Sequence, residues 1–240
     1  MSELSIIIPC VSSIVMPQFI DELAIYLASN PSDVDIIVIV NERVPSIGRL
    51  AHYVGKKYPW LKFEILQRSG GSRRYGALAR FGLAYSTSLY AVLISSYGEN
   101  DISVIPKMLS KIREGAQVVQ ATRFLTVTDA KKVPLRFRIY QTIYRFLTKV
   151  FLGFRISDST YGFKMFDRLF IQAMGLNQNG YSICPEITFK ALLAGGRVEY
   201  IASSMKSTPI NKDFKLYEEG IKYLWLLIRG FGHRLGLLWF

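Results

Sequence analysis

The chain has 240 residues, half of them hydrophobic and 13% aromatic, which is too apolar for a disordered chain and enough for one sizeable core. Its formal net charge of +12 implies an anionic partner: small-molecule phosphates, anionic lipid or nucleic acid. No apolar run approaches the ~18 residues of a membrane-spanning helix, and Cys10 and Cys184 are too few and too far apart for a disulfide framework, so both are expected to be reduced thiols.

The opening, MSELSIIIP, enters a strand at once, without the basic stretch or cleavage-like site of a secretory signal, and a cytoplasmic chain is expected. Over the first 120 residues, short runs rich in β-branched residues alternate with helical patterns. Leu4–Ile8, Val34–Val40, Phe63–Leu66, Tyr90–Ile94 and Val118–Gln120 read as strands. Met16–Ala28, Ser46–Lys57, Gly76–Tyr85 and Ile102–Arg113 read as helices. Such alternation predicts an α/β fold with a mostly parallel, covered sheet, whose ligands sit beyond the carboxyl ends of its strands. After Arg123 the pattern changes: a loop, LTVTDAKKVP, leads into a long basic-aromatic helix over Leu135–Leu152. An irregular segment over Gly153–Phe166, a helix over Pro185–Leu193 and a strand over Arg197–Ala202 follow. Residues 203–213 read as a polar linker and residues 214–240 as helical, dividing the chain into a domain over 1–202 and an appendage over 203–240.

Several stretches resemble one known family. LSIIIP, the strand VLIS entering a loop with VIPKML behind it, FLGFRISDSTYGFKMFDR at 151–168 and GYSICPEITFKALLAGGRVEYI at 180–201 together resemble the family-2 glycosyltransferases of GT-A (Rossmann-like) fold, most of all their polyprenyl-phosphate, dolichyl-phosphate mannose synthase-like branch. The resemblance implies transfer of a sugar from a nucleotide-sugar to polyprenyl phosphate. A divalent ion held by an Asp-X-Asp motif would stabilise the departing diphosphate.

The motif is where this chain departs. Aligned on VLISSYG, Ser95 and Tyr97 stand where the two aspartates would lie, and neither suits Mg2+ or Mn2+. Val40 and Asn41 occupy the places of the acidic pair expected after the second strand, with Glu42 one step later, and Ser13 replaces a glutamate after the first. The donor site implied by the resemblance comprises Pro9, Asn41, Glu42, Ser95 and Tyr97, with Arg73 and Arg74 of RSGGSRRYG able to meet a diphosphate directly. No cofactor is expected from the usual motif; Glu99 and Asp101 are the weak candidates for an unusual Mg2+ or Mn2+ site, and Asp101 reads more readily as a helix cap.

The acceptor side keeps more of the pattern. Arg123 in QATRF, and Arg138 with Thr142 one helical turn apart in RIYQT, match positions that bind the lipid phosphate in that branch; a solvated basic face shared with Arg136 and Arg145 is the plainer reading. Asp158 is the candidate catalytic carboxylate, weighed against a structural cap or salt bridge. Glu186, after Pro185, reads as a helix cap. In residues 212–240, Tyr217, Ile221, Leu224, Trp225 and Ile228 share one helical face opposite Lys215, Glu218, Lys222 and Arg229, the pattern of an interfacial helix; Gly230 and Gly232 are expected to break it. The expected partners are therefore a polyprenyl-phosphate lipid or membrane surface, a nucleotide-sugar, and an active glycosyltransferase or a second copy. Whether the chain is a pseudoenzyme or a metal-independent transferase stays open. A nucleic-acid-binding role is the minor reading, since no recognisable module accompanies the basic-aromatic helix.

Overall fold

The computed structural model describes residues 2–11, 17–29, 33–41, 47–72, 74–125, 131, 133–158, 160–204 and 216–240. Ser13, Glu42, Arg73 and most of the 203–213 linker lie outside them.

Seven strands form one sheet: β1 (Leu4–Cys10), β2 (Val34–Asn41), β3 (Lys62–Arg68), β4 (Tyr90–Leu93), β5 (Val118–Thr122), β6 (Lys164–Asp167) and β7 (Val198–Ala202). Their order is β3-β2-β1-β4-β6-β5-β7. All neighbouring pairs are parallel except β4–β6 and β6–β5. The continuous apolar runs of β1 and β2 exist because both faces of the sheet are covered. Ile6, Ile8, Ile36 and Val38 point towards α1 (Pro17–Ser29), α2 (Ile47–Lys57) and α4 (Ile105–Arg113). Ile7, Ile37 and Ile39, one residue out of phase, point towards α3 (Tyr75–Tyr85), α6 (Arg168–Ala173) and α7 (Ile183–Leu193). A Cβ on Gly82 would meet Ile7 Cγ2 and Ile39 Cδ1 at 2.6 Å, so a glycine is what lets α3 lie this close to the sheet.

A third cluster sits beside these layers. There α5 (Leu135–Leu152) and α8 (Leu216–Arg234) pack on α7 through Tyr144, Leu152, Phe189, Tyr223, Leu226 and Leu227.

Three expectations need correction. The irregular stretch assigned to Gly153–Phe166 ends in β6, inserted antiparallel between β4 and β5; four residues are too few to show a period. The helix expected over Ile102–Arg113 begins as a 3-10 turn, Ile102–Val104, before α4. Helix α8 runs unbroken through Gly230 and Gly232 to Arg234. Both glycines are close-packing positions, where a Cβ would come within 3.1 Å of Leu152 and 2.9 Å of Leu238 respectively.

Candidate functional site

The antiparallel insertion of β6 determines what gathers at the sheet's edge. Because β6 runs against its neighbours, the segment leading into it, Asp158 to Phe163, arrives at the edge where β4 and β5 end. Residues from three distant parts of the chain thus meet there: Ser95–Asp101, Arg123–Phe124 and Asp158 with Thr160 and Tyr161.

At the centre is a buried ion pair. Arg123 Nε donates to Asp158 Oδ2 at 2.7 Å and Nη2 to Oδ1 at 3.0 Å, with Asp158 wholly buried. The guanidinium lies 4.5 Å from the Tyr161 ring centroid and 5.0 Å from that of Phe137. Burial alone would lower the Arg123 pKa; the Asp158 carboxylate more than offsets this and the net shift is upward. Thr160 extends the set: its hydroxyl donates to Asp158 Oδ1 at 3.2 Å and accepts from Arg123 Nη2 and from Gln141 Nε2 of α5. Gln141 Oε1 is buried without a hydrogen-bond partner among the described residues.

The loop after β4 is tied by its own side chains. Ser95 N donates to Asn100 Oδ1 at 2.6 Å, and Asn100 Nδ2 to the Tyr161 hydroxyl at 2.8 Å. Tyr97 N donates to Ser95 Oγ at 3.2 Å. Gly98, at φ +69°, makes the turn beside Phe19. Asp101 accepts from the backbone N–H of Ser103 and caps the 3-10 turn. Glu99 is half-buried; desolvation raises its pKa, and the opposing influences of Arg123 and a hydrogen bond with Ser95 only partly offset that.

The other expected site residues lie around this edge. Pro9 is buried within β1. Asn41, at the end of β2, donates from Nδ2 to the Val11 carbonyl at 2.6 Å, holding the chain that leaves β1. Arg74 is exposed at the N-terminus of α3, where its carbonyl accepts from Ala77 N and Leu78 N. Thr142 is exposed and donates to the Arg138 carbonyl one turn back. The structure therefore joins Arg123 to Asp158 directly, while Arg138 and Thr142 stand on α5 outside that bonded set. Sequence reasoning did not single out Asn100, Tyr161, Thr160 or Gln141. Asn100 lies within the acidic loop itself; a lone glutamine on a basic helix carries no comparable signal.

Two further acids are structural. Glu186 accepts from Asn177 N at 2.9 Å and Gln178 N at 3.0 Å, with Lys190 Nζ at 3.3 Å, so it fastens the loop before α7 rather than the first turn of its own helix. Glu219 of α8 accepts from Ser182 N at 3.2 Å. Lys164 of β6 is wholly buried, donating to the Cys184 carbonyl and to Thr188 Oγ1, both at 2.6 Å; burial pulls its pKa down to about 8 and pushes the Cys184 thiol up to about 11.

Among the described residues these carboxylates do not fit a divalent ion. Asp158 is engaged by a guanidinium, Asp101 by a backbone amide, and Glu99 remains a single ligand. No cluster of three His, Cys, Asp or Glu side chains forms among them.

This sheet, with a helical layer on each face and a polar, arginine-bearing carboxyl edge, defines a GT-A-like α/β fold. Among solved structures the chain is similar to glucosyl-3-phosphoglycerate synthase from Mycobacterium tuberculosis. With that enzyme bound to phosphoglyceric acid the TM-score is 0.68 at 14% identity, covering 99% of this chain and 81% of that one. With its Mn2+ and uridine-diphosphate-glucose complex the TM-score is 0.68 at 13% identity, covering 99% and 80%. With its uridine-diphosphate complex it is 0.67 at 15% identity, covering 99% and 81%. At such identities the likeness establishes the fold alone. No protein-family model and no curated protein matches the chain.

Proposed function

We propose that the chain is a glycosyltransferase-like protein of the polyprenyl-phosphate type whose metal-dependent donor chemistry is impaired or lost, and that it acts peripherally at the cytoplasmic side of a membrane. One observation carries the reading. The resemblance places Ser95 and Tyr97 at the two metal-ligand positions after β4, and of the acids around them Asp101 and Asp158 are engaged elsewhere while Glu99 is a single ligand, so a departing diphosphate would lack the ion that ordinarily stabilises it. One of the similar structures contains Mn2+ and uridine diphosphate, which makes uridine nucleotides the first donors to try. On the acceptor side, Arg138 and Thr142 are open to a lipid phosphate, and Arg123 keeps Nη1 outside its pairing with Asp158.

A second reading, sugar transfer without a metal, is favoured by Glu99. Its half-buried position beside Arg123, with desolvation raising its pKa, suits a carboxyl that exchanges a proton with a bound substrate, with Arg73 and Arg74 meeting the diphosphate. Calorimetric titration with uridine diphosphate and a panel of nucleotide-sugars, with and without Mn2+, separates the readings. Absent binding supports the degenerate donor site, and metal-independent binding supports the second reading. Tight binding only in the presence of Mn2+ overturns both.

A further inference from the structure

Helices α5 and α8 lie side by side and run in the same direction: Tyr140 and Tyr144 meet Tyr223, and further along both helices Phe151 meets Phe231 and Leu152 borders Gly230. Their inward faces are fully used. On α5 these are Gln141, Tyr144, Thr148 and Leu152, and on α8 Tyr223, Leu226 and Leu227. Each helix nevertheless carries a second apolar stripe. On α5, Leu135, Ile139, Ile143, Phe146 and Val150 recur every three to four residues and are all more than half exposed. On α8, Tyr217, Ile221, Trp225 and Ile228 recur in the same way and are more than half exposed, with Leu224 beside them somewhat less so. With about 100° between successive residues, both stripes fall on the outward side of their helix next to the α5–α8 seam. They form one contiguous platform, far more apolar than singly scattered surface residues would produce. Just past α8, Leu235, Leu237 and Trp239 are exposed as well.

The flanks of the platform are basic. Helix α5 holds Arg136, Arg138, Arg145 and Lys149 and no acidic residue, and Arg138, Arg145 and Lys149 lie along its side away from the seam. On α8, Arg229 and Lys222 take the corresponding side together with one acidic residue, Glu218, so the basic excess lies mainly on α5. No described helix is long and apolar enough to cross a membrane.

We propose that this two-helix platform seats on an anionic phospholipid surface, with the paired stripes in the acyl–headgroup boundary and the flanking basic residues on lipid phosphates. The inference deepens the membrane-surface reading above and rests on it. It commits to a bilayer and not to a second copy because association of two copies through this face would bring basic flanks together on chains of +12 each, whereas an anionic leaflet complements them. Tyrosine and tryptophan within the stripe, and basic side chains beside it, are the composition of a helix lying in the interface.

The test uses the full chain and sedimentation with vesicles of phosphatidylcholine alone or mixed with phosphatidylglycerol, neither containing polyprenyl phosphate. The chain is expected to partition onto the mixed vesicles, with binding that falls as salt rises. The double variant I143Q/W225Q, altered at two exposed positions, should retain the wild-type melting temperature and bind at least ~10-fold more weakly. K149E/R229E should lose binding to the mixed vesicles too. Failure of the wild-type chain to bind, or equal binding by I143Q/W225Q, overturns the proposal. So does a dimer in light scattering that I143Q/W225Q converts to monomer, which would assign the face to a second copy. No donor or acceptor enters this assay, so its outcome is independent of the calorimetry that tests the glycosyltransferase reading.

Discussion

Arg123 and Asp158 are 35 residues apart in the chain, and each would be an isolated buried charge without the other. Breaking such a pair from one side leaves an uncompensated charge, which costs more than removing the pair. Arg123→Met should therefore destabilise the chain by about 3–5 kcal/mol, and R123M/D158N by clearly less; urea unfolding of the single and double variants measures both. Lys164 gives a pH signature of its own. The native chain releases this proton near pH 8, the unfolded chain near the ordinary lysine value of about 10.5. Between those values the unfolded state binds more protons, so the Lys164 contribution to stability rises with pH, by roughly 3 kcal/mol at most. Unfolding midpoints followed from about pH 7.5 to about pH 9.5 should show wild type gaining on Lys164→Met across the window; parallel curves would refute it. What the sequence reveals here is uneven. Asp158 stands out because it sits in a recognisable segment, and Arg123 because it follows a strand. Their union depends on β6 entering antiparallel, a pairing that no local pattern encodes.

Elements are legible to the extent that they repeat. The four-residue β4 and five-residue β5 are visible because covered parallel strands read as apolar runs, and α5 matches its expected bounds because eighteen residues display several turns. KMFD, at four residues and ending in a residue that caps α6, displays none. Glycine misleads in α8 for a related reason: it reads as a breaker, yet the same lack of a side chain allows a helix to pack closely. The distinction can be tested within helices. Gly55 of α2 has open space where a Cβ would go, so Gly55→Ala should stabilise by up to ~1 kcal/mol through helix propensity. Gly82 of α3 gains the same propensity, but its Cβ would meet Ile7 and Ile39 at 2.6 Å, and Gly82→Ala should be net destabilising by about 1–2 kcal/mol. Chemical denaturation of the two variants under one set of conditions should give shifts of opposite sign.

At the scale of the molecule, α8 belongs to the fold through one face and to the surroundings through the other. Tyr223, Leu226 and Leu227 complete the cluster around Tyr144 and Phe189, and Glu219 accepts from the backbone of Ser182 at the entry to α7. A residue of this kind contributes about 1.5–3 kcal/mol when fully buried, so three of them amount to a large share of a typical domain stability of ~5–15 kcal/mol. The amphipathic pattern of residues 214–240 is plain in the sequence, but periodicity says only that two faces differ; which apolar face meets the domain depends on where α5 and α7 lie. A chain ending at Ser204 should accordingly uncover Tyr144, Phe189 and Leu152, melt well below the full chain and aggregate on heating. Trp225→Gln, altered only on the outward face, should melt with wild type. If the shortened chain instead melts unchanged in calorimetry, the third cluster does not hold the fold, and α8 serves the outer surface alone.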